Sequence, residues 1–193
     1  MIAGPNGSGK STLIRELRAQ GFDFGEHFNA DELALTLGPP SEANSARAQE
    51  MVREEREKAL AAGIDYSWET VMSHGSHIEH LREASMRGYD VRLLYVATED
   101  PEVNIGRVAD RVKQGEHDVP RDRIIKRYRK SLAQLPLAIM ASDQALVLDN
   151  SQPDSPFRAV ATLRGDFFET IMPEDQLPSW FRPTLVEIFR YAD

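Results

Sequence analysis

The sequence predicts an α/β fold built on a doubly wound parallel sheet of about five strands. Apolar runs typical of buried strands alternate with segments of helical periodicity, as expected for strands joined by right-handed helical crossovers. The clearest buried strand is the apolar run at 91–96, and a second lies at 145–148. A length of 193 residues with 41% hydrophobic residues suits one domain with a sizeable core.

The first third of the chain predicts short strands followed by helices with recognisable ends. Gly21 and Gly63 are typical helix stops, and Ser41 is a typical N-cap. The predicted elements are a strand at 1–3, a helix at 10–20, a strand at 27–29, a helical turn at 32–37 and a long charged helix from Ser41 to Gly63.

The rest of the chain continues the alternation and ends in a C-terminal extension at 157–193. We expect a single domain over 1–193 in which two consecutive helices, at about 101–133, form a lid. The predicted elements are strands at 64–71, 91–96 and 145–148, helices at 78–86, 101–114, 120–133 and 183–191, and an edge strand at 159–163.

The composition narrows the class of protein. The chain has no cysteine, so disulfides and thiolate metal sites are excluded, and we expect a cytoplasmic location. No apolar run reaches membrane-spanning length and no signal-peptide pattern is present, so no membrane partner is expected. The net charge of −8 argues against a nucleic-acid polymer as the main partner.

The most informative motif is a glycine-rich segment that reads Gly-Pro-Asn-Gly-Ser-Gly-Lys-Ser-Thr at 4–12. It matches the phosphate-binding pattern G-x-x-x-x-G-K-[ST] at every fixed position, and a helical pattern follows it. A glycine-rich turn that merely begins a helix is the alternative. We expect the segment to bind a nucleotide, with Lys10 at the β- and γ-phosphates and the Ser11 hydroxyl on Mg²⁺, through Gly4, Asn6, Gly7, Ser8, Gly9, Lys10, Ser11 and Thr12.

Polar side chains follow the next two predicted strands, where ligands of parallel sheets bind. Asp31 could accept the proton of an acceptor hydroxyl, or it could cap the helical turn that follows it. Glu69 and Thr70 could bind substrate hydroxyls or a water on Mg²⁺, or they could cap the next loop.

A basic region interrupts this acidic chain. Between Arg107 and Lys130 the sequence has nine Lys or Arg and four Asp or Glu. Arg107 and Arg111 share one helix face, and Arg123 and Arg127 repeat that spacing after a polar turn at 114–119. The arginines favour a closing lid that neutralises charge on a transferred phosphoryl group, although a solvated helix face has the same pattern.

Together these residues resemble the zeta toxin family of P-loop kinases. The resemblance rests on the segment at 3–12, Asn29-Ala30-Asp31-Glu32, Trp68-Glu69-Thr70, Gly88-Tyr89-Asp90-Val91, the segment at 107–120 and Asp149-Asn150-Ser151. Their order and spacing hold from about residue 2 to residue 151, which is most of the chain. The combination is more specific than the phosphate-binding motif alone.

The resemblance implies a P-loop kinase fold and a reaction. Members of this family use ATP or GTP with Mg²⁺ to phosphorylate a small molecule, typically a hydroxyl of UDP-N-acetylglucosamine, and a small antitoxin protein often inhibits them. NAD or an antibiotic is an alternative acceptor, and a nucleotide-binding module without turnover is a further alternative. The family assigns Asp31 as base, Lys10 and Ser11 to phosphate and Mg²⁺, Glu69 and Thr70 to the acceptor, Arg107 and Arg111 to the lid, and Asn150 to the adenine loop.

Overall fold

The computed structural model describes residues 1–113 and 118–192. These residues form seven strands, seven α-helices and one short 3-10 helix at Glu174–Gln176. In chain order the elements are β1 Ile2–Ala3, α1 Lys10–Ala19, β2 Glu26–Phe28, α2 Ala30–Thr36, α3 Glu42–Ala62, β3 Tyr66–Thr70, α4 Ser76–Met86, β4 Arg92–Ala97, α5 Pro101–Lys113, α6 Arg121–Met140, β5 Gln144–Asp149, β6 Arg158–Arg164, β7 Phe167–Thr170 and α7 Arg182–Ala192.

The chain divides into two compact units, Met1–Lys10 with Val71–Asp193, and Ser11–Thr70. In the first unit the strands follow the order β1-β4-β5-β6-β7. β1, β4 and β5 run parallel, because helices cross between them, and β6 and β7 are antiparallel additions. The fold is therefore α/β with mostly parallel strand pairing.

The core of the first unit lies around β4 and β5. These strands pair over six residues, from Arg92 opposite Gln144 to Ala97 opposite Asp149. The β4 sequence is nearly continuous in apolar residues, as expected for a parallel strand covered on both faces. Because β1 pairs with β4 in parallel, the carboxyl ends of three strands meet at one edge, where the phosphate-binding loop begins.

The second unit joins two parallel strands to helices α2 and α3. β2 and β3 pair in parallel, with His27 opposite Ser67. The long helix α3 begins at the N-cap Ser41, whose hydroxyl accepts a hydrogen bond from the Asn44 N–H. It ends at Gly63, which has a φ of 70° and takes the left-handed cap conformation. Both predicted helix ends are confirmed.

The structure corrects three expectations. The described residues contain seven strands, not about five. Helix α6 extends to Met140 rather than ending near residue 133, because the buried face around Pro136 compensates for the lost backbone hydrogen bond. The strand expected at the sheet edge is β6, which pairs on both sides, so β7 occupies the edge instead.

No helix among the residues that the structure describes is long and apolar enough to cross a membrane.

Candidate functional site

The phosphate-binding loop connects β1 to α1 and requires glycine for its shape. Gly4 has a φ of 142°, and a Cβ there would lie 2.0 Å from the Val96 carbonyl oxygen. Gly9 has a φ of 105°, and a Cβ there would lie 2.4 Å from Nδ2 of Asn150. Both the dihedral angles and the space exclude other residues, so the loop is a fixed backbone concavity rather than a loose turn.

Two buried amides hold the backbone of this loop. Asn104 of α5 donates from Nδ2 to the Asn6 carbonyl oxygen at 2.6 Å. Asn150, after β5, donates from Nδ2 to the Ser8 carbonyl oxygen at 2.8 Å. Each amide satisfies a loop carbonyl that would otherwise lack this donor, and so holds the loop in one backbone conformation.

Lys10 lies at the first position of α1 and folds back along the loop. Its Nζ donates to the carbonyl oxygens of Gly4 at 2.9 Å and Pro5 at 3.0 Å. The ammonium therefore stays beside the concavity, where a polyphosphate could take over one of its three donors.

Three polar atoms, two in the loop and one on α5, are buried with no hydrogen-bond partner among the described residues. They are Oγ of Ser8, Oδ1 of Asn6 and Nη1 of Arg107. Buried polar groups are normally paired, so two unpartnered donors, Ser8 and Arg107, indicate a place for an anionic ligand. Burial lowers the pKa of Arg107, and the nearby Asp149 carboxylate opposes this shift.

Asp149 fixes the turn that carries Asn150. Its side chain is 1% exposed and pairs with Arg158, Oδ2 to Nη2, at 3.0 Å. Its Oδ1 accepts hydrogen bonds from Oγ of Ser151 at 2.5 Å and Nε1 of Trp180 at 3.2 Å. A buried charge with this many partners is structural, and it orients the amide that holds the loop.

In the second unit, the carboxylate of Glu69, in β3, lies beside polar side chains of α1, of β2 and of the residue that follows β2. Glu69 Oε2 accepts from Oγ of Ser11 at 3.0 Å, and its Oε1 accepts from Nδ2 of Asn29 at 2.8 Å. Nε2 of His27 lies 3.6 Å from the same Oε1, and its Nδ1 is 2.8 Å from Oγ of Ser67. The structure thus brings Ser11 and Glu69 together.

Asp31 lies in the first turn of α2 and is exposed. It is not the N-cap, because Asn29 takes that position and accepts hydrogen bonds from the Asp31 and Glu32 N–H groups. The capping role proposed for Asp31 is therefore wrong, and its carboxylate is not needed to begin the helix.

The remaining two predicted residues of this unit are Thr12 and Thr70. Thr12 is half-buried in α1, and Thr70 is half-buried at the last position of β3. Thr70 follows Glu69 directly, so it lies at the carboxyl end of its strand as the sequence predicts.

The two arginine-bearing helices, α5 and α6, are held by contacts of α6 with α5 and with the residues just before α5. Tyr128 of α6 donates to the Thr98 carbonyl oxygen at 2.6 Å, and Arg121 forms a two-point ion pair with Glu102 of α5. Arg107 is half-buried and Arg111 is exposed. Four residues of the polar turn predicted between these helices, at 114–117, lie outside the described residues.

The donors present fit a nucleotide phosphate and Mg²⁺. The glycine-rich backbone with positive φ at Gly4 and Gly9, the ammonium of Lys10 and the Ser8 hydroxyl, which has no partner among the described residues, suit an anion. The Ser11 hydroxyl and Glu69 carboxylate are hard oxygen donors of the type that Mg²⁺ prefers. Among the described residues no group of three or more His, Cys, Asp or Glu could hold a metal alone, and Mg²⁺ on a nucleotide takes ligands from the phosphates.

Sequence reasoning missed Asn104 and gave no role to Asn29 or His27. Asn104 lies on a helix whose other residues follow an ordinary amphipathic pattern, and its 0% exposure follows only from tertiary packing. Asn29 had a usable signal, because an asparagine directly after a strand and before a helical turn is a frequent N-cap.

Known proteins resemble the chain in both sequence and fold. The family described as AAA domain matches residues 1–135, which is more than half of the chain. A curated relative, an uncharacterised protein of Haemophilus influenzae, is 29% identical over 127 residues, which cover 65% of this chain and 88% of the relative.

Three solved structures share the fold. A chain of the AvrRxo1-ORF1:AvrRxo1-ORF2 complex, crystallised with sulphate ions, is similar at a TM-score of 0.71 with 15% identity over 93% of this chain. A chain of the PezAT toxin-antitoxin system of Streptococcus pneumoniae gives 0.57, with 19% identity over 83% of this chain and 70% of that one. A candidate kinase from Chloroflexus aurantiacus gives 0.58, with 17% identity over 80% of this chain and 89% of that one.

These likenesses show that the chain shares the fold of these proteins, which is similar to that of P-loop kinases. The chain spans 62% of the matched AvrRxo1 chain, and the same complex has also been crystallised with ATP. At identities of 15–19%, these matches show a shared fold and do not identify a substrate.

Proposed function

The chain belongs to the AAA domain family, and from that premise we propose that it is an ATP-dependent kinase of small molecules. It transfers the γ-phosphoryl group of ATP, or of GTP, to a hydroxyl of an acceptor in the cytoplasm. UDP-N-acetylglucosamine is the first acceptor to test, because the motifs resemble those of zeta toxins.

The observation that supports this proposal most strongly is the phosphate-binding loop. Its backbone is fixed by Asn104 and Asn150, its ammonium group lies alongside, and Oγ of Ser8 and Nη1 of Arg107 are buried without partners among the described residues. Hydrogen-bond donors that are in place before the ligand binds stabilise the charge of the transition state. Enzymes that catalyse phosphoryl transfer depend mainly on this electrostatic stabilisation and on positioning.

We assign the reacting groups as follows. Lys10 and the loop N–H groups hold the phosphates, and Ser11 would hold Mg²⁺ with Glu69 nearby. The ion would neutralise charge on the β- and γ-phosphates when bound. The exposed carboxylate of Asp31 orients the acceptor hydroxyl and accepts its proton. Arg107 and Arg111, on the proposed lid at 101–133, would stabilise charge on the transferred group.

NAD or an antibiotic as acceptor, and a small antitoxin protein as inhibitor, are further parts of this proposal. An antitoxin partner is supported because the proteins of similar fold include a toxin-antitoxin system and a complex of two different proteins. A nucleotide-binding module without turnover is the competing function.

Asp31→Asn separates the kinase from the binding module. The variant keeps the shape of the side chain and, because Asn29 caps α2, keeps the helix. We expect phosphotransfer to fall by about 10²- to 10⁴-fold because proton acceptance is lost. The affinity for ATP, measured by calorimetry, should stay within about threefold of wild type. Unchanged phosphotransfer would exclude Asp31 as the base.

A further inference from the structure

Asn29 uses its side-chain amide on two different elements. Its Oδ1 accepts from the N–H groups of Asp31 at 2.9 Å and Glu32 at 3.3 Å, which begins helix α2. Its Nδ2 donates to Oε1 of Glu69, at the end of β3, at 2.8 Å. One amide therefore ties the first turn of α2 to the Glu69 carboxylate.

The carboxylate extends this connection to the proposed Mg²⁺ ligand. Oε2 of Glu69 accepts from Oγ of Ser11 at 3.0 Å, while His27 lies beside the other oxygen. The Glu69 side chain is 9% exposed, so solvent offers few competing partners. The chain of contacts runs from Asp31 through Asn29 and Glu69 to Ser11.

We infer that Asn29 is a positioning residue that holds the Asp31 turn and the Glu69–Ser11 pair in one fixed arrangement. The inference rests on the proposed function, in which Asp31 accepts a proton and Ser11 holds Mg²⁺. The residue at position 29 must accept from the first turn of α2 and donate to Glu69. Ser, Thr and Asp also cap helices, but an ionised Asp has no proton to donate, and the side chains of Ser and Thr do not extend as far as an amide. Asparagine meets both requirements at this position.

If Asn29 positions these groups, substitutions that keep the helix cap should still lower activity. A residue that only caps the helix predicts no such loss. Asn29→Asp retains the cap acceptor and the shape, but it places a second carboxylate where Nδ2 now donates to Glu69. Asn29→Ser retains a cap acceptor and is too short to reach Glu69. If Asn29 only caps α2, both variants behave like wild type.

The first measurement is steady-state phosphotransfer together with calorimetric ATP binding. We expect kcat of Asn29→Asp to fall by about 10²-fold, since a shift of about 1 Å in a reacting group has this effect. We expect a smaller fall for Asn29→Ser, and an ATP dissociation constant within about threefold of wild type for both. A wild-type kcat in Asn29→Asp would overturn the inference.

The second measurement does not depend on activity. Thermal unfolding of Asn29→Asp, Glu69→Gln and the double variant forms a double-mutant cycle. The double variant reverses the bond, since the amide introduced at position 69 can donate to the carboxylate introduced at position 29 and its oxygen can still accept from Ser11. Its unfolding midpoint should therefore recover most of the loss seen in Asn29→Asp.

The outcomes of the two measurements separate the inference from the proposed function. Additive shifts of the unfolding midpoint would overturn the inference, because they would show that positions 29 and 69 do not interact. If the wild-type protein showed no phosphotransfer, the proposed function would be overturned, and the coupling of positions 29 and 69 would still be tested by the unfolding cycle. Should Asn29→Asp not fold, the kcat of Asn29→Ser decides, and a wild-type value there would overturn the inference.

Discussion

At the scale of single residues, two amides determine the shape of the phosphate-binding loop. Asn104 and Asn150 each satisfy one loop carbonyl, and both are buried in the first unit. The motif at 4–12 predicts the loop residues, yet nothing in it identifies its supports, which lie 98 and 142 residues beyond the carbonyls that they hold. Asn150 was expected near the adenine, and the structure places its amide on the loop itself.

Asn150→Ala should therefore loosen the loop. The variant leaves the Ser8 carbonyl oxygen buried without its donor, which costs about 1–3 kcal/mol in the free energy of unfolding. We expect ATP affinity to fall by about tenfold, because the loop must order itself on binding. Chemical denaturation and calorimetry measure the two effects.

Asn44→Ala is the matched control for this substitution. Its Nδ2 also donates to a backbone carbonyl, that of Pro39, at 2.8 Å, but the bond is exposed to solvent. The control should change the unfolding free energy by about 0.5 kcal/mol or less and leave ATP affinity unaltered. Equal effects of the two substitutions would show that Asn150 does not shape the loop.

At the scale of elements, the sequence predicts those with local signals and misses those decided by packing. Helix α3 has a capping serine and a terminal glycine, and both ends were predictable. Strand β7 was missed, although Gly165-Asp166 between two apolar runs is a known hairpin signal. Helix α6 passes through Pro136 because Leu135, Ala138 and Ile139 are at most 1% exposed, which is a tertiary effect.

Helix α6 is held by a buried tyrosine whose ionisation would weaken that anchor. Burial raises the pKa of Tyr128, and the carboxylates of Glu99, Asp100 and Asp149 raise it further. The folded protein therefore keeps the phenolic proton above about pH 10, where the unfolded chain loses it. Since the folded state then binds more protons, this contribution to stability is complete below about pH 10 and declines as pH rises.

Tyr128→Phe tests that anchor. At pH 7 the variant should lose about 1 kcal/mol of unfolding free energy, because the hydrogen bond to the Thr98 carbonyl oxygen is gone. Above about pH 10 the wild type loses the stability that Tyr128 contributes and the variant does not, so the difference should shrink. Urea denaturation at about pH 7 and about pH 10.5 measures both; a difference independent of pH would contradict the assignment.

At the scale of the whole molecule, the sequence predicts the class of fold and the chemical identity of the candidate site better than its geometry. Strand-end positions predict Asp31, Glu69 and the phosphate loop as site residues, because ligands of α/β folds bind at those ends. The bond between Ser11 and Glu69 spans 58 residues of sequence, and no local pattern predicts it. Side-chain networks of this kind depend on packing that a single sequence does not encode locally.

We propose that the loop holds a phosphoryl donor rather than a regulatory nucleotide. The most direct measurement incubates the protein with ATP, Mg²⁺ and a panel containing UDP-N-acetylglucosamine and NAD, and identifies products by mass spectrometry. We expect an acceptor heavier by one phosphoryl group, formed by wild type and formed at least about 10²-fold more slowly by Asp31→Asn and Lys10→Ala. ATP binding with no phosphorylated acceptor anywhere in the panel would contradict it.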